Sequence, residues 1–153
     1  MNDLITAIIA DLETNLPYLQ QVKAVNSLLN PPSEKGFPCV GVKDGDITYD
    51  SHPIRRDRDV LNVEIGVYQD LIFDDSGASI IGSAPEQGAR FKGVIEICQE
   101  VRARLNDNFF TAVFAGKIDW AHVDKVAASE TLGDADQPLM QMKTMTVTYR
   151  RFS

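Results

Sequence analysis

Residues Val60–Tyr68 alternate without a break: Leu61, Val63, Ile65 and Val67 fall on one side of an extended backbone, and Asn62, Glu64, Gly66 and Tyr68 on the other. Successive side chains of a strand point to opposite faces, so this spacing predicts a strand with one buried face and one that looks at water or at a partner. Met140–Phe152 reads the same way. It is a long, Thr-rich run in which Met140, Met142, Thr144, Thr146 and Thr148 alternate with Gln141, Lys143, Met145, Val147 and Tyr149.

Two segments carry helical spacing instead. In the first, Leu4, Ile5, Ile8, Ile9 and Leu12 make a stripe flanked by Asn2, Asp3, Asp11 and Glu13. Asn2 or Asp3 can cap its start, and Asn15 and Pro17 mark its end. In the second, Phe91, Val94, Ile95, Cys98, Val101 and Leu105 make the stripe. Lys92, Glu96, Glu100 and Arg104 lie mostly off it, and Asn106-Asp107-Asn108 ends it. Stripes of this kind are core.

The remaining chain reads as strands and connections. Gln21–Leu28 is weakly extended, and Asn30–Gly36, with paired prolines, is a loop. Cys39–Lys43 running into Asp44-Gly45 and out through Asp46–Tyr49 predicts a hairpin, because Asp-Gly suits a two-residue turn. Ile118–Ala127 is a further strand, and Asp74–Gln87 and Ser129–Pro138 are loops. Helix, strands, helix, strands is the order of an α+β fold, expected over residues 1–153 as one domain. It implies a mixed, mainly antiparallel sheet with two main helices packed on one face.

Charge narrows the function classes. Fifteen basic against 22 acidic residues give a net charge of −7 in 153 residues. A nucleic-acid binder takes its affinity from Lys and Arg that release counterions, so this chain is expected to repel DNA and RNA. Apolar residues at 44% exclude disorder, yet no apolar run approaches the roughly 20 residues of a membrane span. The first residues lack the basic start of a secretory signal, which implies a soluble protein. Cys39 and Cys98 sit among apolar neighbours and read as reduced core residues.

Chemistry is sparse. His52 and His122 could each serve as a base, with Cys39 or Ser129 as a nucleophile, but no local pattern joins them, and both histidines read as structural. Asp44, Asp46 and Asp50 do not fit a calcium loop, because Ile47 and Thr48 follow Asp46. Gly77 and Gly82 have the spacing of a phosphate loop, but Ser83 and Ala84 stand where Lys and Ser or Thr are needed. No catalytic residue, metal ligand or cofactor site is therefore expected. Arg55-Arg56-Asp57-Arg58-Asp59 alternates in sign. It reads either as solvated charge protecting a strand or as a contact between copies in which Arg forks meet carboxylates.

The helix Asp3–Asn15, the approach Phe37-Pro38-Cys39-Val40, the strand Val60–Tyr68, the helix Gly88–Leu105 and a last strand ending Thr146-Val147-Thr148-Tyr149-Arg150-Arg151-Phe152 follow one another in that order. In order, size and acidity, nearly the whole chain resembles the tail terminator, or tail completion, proteins of long-tailed bacteriophages and related tail-like particles. The resemblance implies a small α+β subunit that forms a ring, commonly a hexamer, with no catalytic residues. Such a ring stops tail-tube growth and presents a surface to the head or neck. It implies copies of itself, the tail tube protein and neck or head connector proteins as partners. It also implies DNA passing without specific binding, assembly in the host cytoplasm and a final place in the virion tail. On this reading Arg55, Arg56, Asp57, Arg58 and Asp59 are candidates for subunit contact. Asp74, Asp75 and Ser76 are candidates for a mobile loop that orders against a neighbour. Another phage neck or minor tail protein would share the pattern. A small hydrolase, or an adaptor that adds a strand to a partner through an exposed edge, are the readings from other classes.

Overall fold

A computed structural model of the chain describes residues 1–50, 58–71, 78–82, 92–133 and 140–152. The elements are α1 (Asn2–Asn15), β1 (Gln21–Ala24), β2 (Cys39–Asp50), β3 (Arg58–Asp70), α2 (Ala78–Ile81), α3 (Val94–Leu105), α4 (Thr111–Phe114), β4 (Ile118–Val126), β5 (Glu130–Leu132) and β6 (Met140–Phe152). They form one sheet in the order β1-β2-β3-β6-β4, with β5 also paired to β6 beyond the end of β4. Among the described residues only β1 and β2 run parallel; the other pairs are antiparallel. The fold is α+β with a mixed, mainly antiparallel sheet, as the element order implied.

The period-2 and period-3.6 stripes meet in one core. Leu4, Ile8 and Leu12 of α1 and Ile97, Val101 and Leu105 of α3 are fully buried in the same cluster as Leu61, Val63, Ile65 and Val67 of β3. Rows across the sheet match like with like. Val42, Ile65 and Met145 share one row, and Val63 and Val147 the next, so both helices cover the same face. Each such side chain stabilises the fold by about 1.5–3 kcal/mol relative to exposure. Two polar clamps hold α3 at its flanks. Arg104 Nε and Nη2 grip both oxygens of Asp11 at 3.0 and 2.9 Å, with Asn108 adding a bond at 3.2 Å. Lys92 Nζ bonds both Glu100 oxygens at 2.8 and 3.0 Å and stands 4.0 Å from the Tyr18 ring centroid, while the Tyr18 hydroxyl donates to Glu100.

Four local expectations change, besides the short helix α2 that falls inside the expected Asp74–Gln87 loop. Asp44-Gly45 is not a hairpin turn, because β2 runs on through it to Asp50. Pairing with β3 shifts there, so that Gly45 and Asp46 lie between the Asp44–Val63 and Ile47–Leu61 pairs, opposite Asn62 alone. This is a β-bulge, and glycine fits it for a steric reason: a Cβ at Gly45 would stand 2.9 Å from the Asn62 carbonyl oxygen. Gly45→Val is expected to cost about 1–3 kcal/mol, measured as a lower urea midpoint. The Ser129–Pro138 loop contains β5, and the second helix starts at Val94, while residues 88–91 lie outside the described residues. Finally, Tyr68, expected to face water or a partner, is fully buried. With Cys39 and Met142 it forms a second small cluster on the face away from the helices, packed by Phe37, Leu132 and Met140.

Candidate interaction surface

The polar end of the sheet is built by the start of β3, the end of β6 and the start of β4. Arg58 and Asp59 of the sign-alternating patch stand here. Arg58 Nη2 lies 3.7 Å from Asp119 Oδ2, and its guanidinium carbon is 5.0 Å from the Phe152 ring centroid. Asp59 sits opposite Arg151 in the ladder and meets Arg151 Nη2 at 3.8 Å, while Nη1 of the same arginine reaches Asp3 at 3.8 Å. Of these, Asp3, Asp59 and Arg151, with Phe114, Lys117 and Phe152, line an open cleft of about 390 Å³. Arg58 and Asp59 are thus engaged within their own chain. Loose, partly exposed pairs of this kind contribute about 0–1 kcal/mol each, so they remain available for exchange with a partner. Arg55, Arg56 and Asp57 lie outside the described residues, as do Asp74, Asp75, Ser76 and His52.

The face of the sheet away from the helices is polar toward this same end. The Thr148 hydroxyl stands 2.8 Å from Asn62 Oδ1 and also meets the Asp124 carboxylate, its one proton serving either acceptor. Lys43 and Glu64 pair at 3.6 Å. Arg150 stacks over Trp120, 5.0 Å from its centroid, and His122 lies 5.8 Å from that indole. His122 therefore belongs to an aromatic and cationic stripe opposite Thr148, with neither cysteine beside it. Both thiols are buried, and burial pushes each up to about 12, so neither is an available thiolate near neutral pH. Among the described residues, no three His, Cys, Asp or Glu side chains converge as a metal site would require. No helix among them is long and apolar enough to cross a membrane.

The two sides of the sheet end differently. At β4 the outer edge is covered in its middle: the Asp107 amide donates to the Ala121 carbonyl at 2.9 Å, and the Val123 amide donates to Asn106 Oδ1 at 3.1 Å. On the other side β1 pairs only with Cys39–Val42, and the Val25 amide closes that ladder on the Val42 carbonyl at 3.0 Å. Beyond it, no described strand lies outside Lys43–Asp50. Ile47 and Tyr49 are exposed there, Tyr49 to 73%. Sequence reading missed this open half-edge because it took the segment for the arm of a hairpin. The signal was present in Ile47-Thr48-Tyr49, a β-forming run that carries neither Lys nor Pro. Compared with known protein families and with curated proteins, the chain matches neither a family model nor a curated relative.

Proposed function

We propose that this chain is a ring-forming structural subunit of the tail-terminator kind, which caps a phage tail tube, ends its growth and joins tail to head or neck. The observation that carries the reading is the one-sided architecture. Helices cover one face of the sheet, while no described strand or helix covers the polar end of the other face or one half-edge. Size, element order and acidity agree with such a subunit. A ring of identical subunits needs two different surfaces that meet head to tail and close by rotation, and the two unlike sides of this sheet offer such a pair. A net charge of −7 suits a bore through which DNA slides without being held. On this reading the ring is a hexamer built in the host cytoplasm, its partners are the tail tube and neck or head connector proteins, and its final place is the virion tail. Another neck or minor tail role would use the same surfaces.

Sedimentation and native mass measurement test the reading. The expected species is six times the 16.9 kDa chain, at high concentration or on isolated tail tubes. A monomer at every concentration that also ignores tail tubes would overturn it. Arg56→Glu is expected to shift the assembly toward smaller species, because reversing a rim charge opposes the contact it served. Unchanged sedimentation of that variant would remove Arg55–Asp59 from the interface.

A further inference from the structure

We propose that the outer edge of β2 past its bulge, from Asp46 to Asp50, is a strand-addition site whose occupant is an extended basic segment of another protein chain. Three features of the fold converge on it. An open edge presents a row of backbone donors and acceptors that a further strand can pair in place of water, and sheets normally blunt such edges with a covering loop, Lys, Pro or a bulge. Here β4 is covered by Asn106 and Asp107, while the half-edge of β2 has only the bulge at Gly45 and Asp46 before it, and no described strand or loop backbone hydrogen-bonds to residues 46–50 from outside. Its residues Ile47, Thr48 and Tyr49 are β-formers, and all three are exposed.

Charge selects the occupant. Asp44 and Asp46 stand exposed at the approach. Lys43, the only cation in β2, lies 3.6 Å from Glu64, donates to the carbonyl of Asp44 at 2.9 Å and stands 4.0 Å from the Asp44 carboxylate, so it is shared between two acids and Asp46 carries the charge selection at the edge. The bare ring of Tyr49 offers a face to a guanidinium or ammonium group. A second β2 would bring the same acids near one another across the junction, so self-pairing of this edge is disfavoured. The edge is the same in a lone chain and in a ring subunit, so the inference does not rest on the ring reading.

The experiment uses the full chain and three synthetic peptides of equal length. One alternates Val with Lys and Arg, the second replaces its cations with Glu, and the third is the basic peptide N-methylated at alternate residues. The basic peptide is expected to bind and to slow amide hydrogen exchange in residues 46–50. The acidic peptide is expected not to bind. The N-methylated peptide, which keeps its charge but loses main-chain donors, is expected to bind at least about tenfold more weakly. Asp46→Lys, a surface change, is expected to weaken the basic peptide by about tenfold as well. Equal binding of the basic peptide and its methylated form, protection lying elsewhere, or no binding would each overturn the proposal. The mass of the free protein, measured separately, reports on the ring reading alone.

Discussion

Gly66→Ala is expected to lower the unfolding free energy by about 3 kcal/mol, seen as a lower urea midpoint with an unchanged slope. Gly66 lies in the middle of β3 on the face away from the helices, and Tyr68 lies two residues on, leaning back over it. A Cβ at Gly66 would stand 2.8 Å from Tyr68 Cζ and closer still to its hydroxyl. The ring has nowhere to retreat. It is fully buried, its hydroxyl donates to the Leu28 carbonyl, and the neighbouring Gly41 is crowded too, its own Cβ position being 3.0 Å from Val25 Cγ2 and 3.4 Å from the same tyrosine. Gly41 and Gly66 pair across β2 and β3, so together they make a trough in the sheet into which the tyrosine is laid. Tyr68→Ala should cost about 3–5 kcal/mol through the cavity it leaves. In that background Gly66→Ala should be nearly neutral, because the clash has gone, which makes the coupling about as large as the single effect. An equal cost of Gly66→Ala in both backgrounds would show that the trough is not the cause.

The same two residues show where sequence reading stops. The strict alternation of Val60–Tyr68 and the long β-branched run to Phe152 are one-dimensional signals, and β3 and β6 lie where those signals put them. Alternation cannot say which stretch of the second face will be covered. Tyr68 is buried by residues as distant as Leu28 and Met142, brought in by the chain between β1 and β2 and by β6. Asp44-Gly45 carries a strong local turn signal, but the signal is decided by what lies beside it. A continuous antiparallel ladder from Cys39–Tyr68 to Asp50–Arg58 outweighs one dipeptide and turns it into a bulge. β5 has three residues, too few to show a period. The Asp11–Arg104 and Tyr18–Glu100 clamps join residues 93 and 82 positions apart, and no local pattern announces either. The candidate contact patch was visible as alternating charge. Which partners Arg58 and Asp59 face, Asp119 and Arg151, follows from the registers of β4 and β6, which the patch itself does not encode.

Stability should fall steeply above a pH of about 9, because the core holds two thiols that ionise far more readily in the unfolded chain than in the fold. Desolvation pushes Cys39 and Cys98 up to about 12, and the same cause raises Tyr68 and Tyr149 above their usual range. An acid whose pKa is raised by folding gives its full contribution below the unfolded value. Above that value the unfolded chain releases the proton while the folded chain keeps it, and stability is lost until the folded group ionises as well. For each thiol the loss is about 1.4 kcal/mol per pH unit between its ordinary value and about 12. Urea midpoints measured from pH 8 to 11 under reductant should therefore drop, and the drop should be shallower in the double variant Cys39→Ala, Cys98→Ala. That variant starts lower at neutral pH, because it leaves small voids in two clusters where each cysteine is at most 2% exposed. The buried tyrosines keep part of the slope in both proteins. Parallel curves for the parent and the double variant would mean that the folded thiols ionise as freely as the unfolded ones. Iodoacetamide gives an independent reading, since alkylation of the parent at pH 8 should wait on unfolding rather than follow the thiolate fraction of a free cysteine.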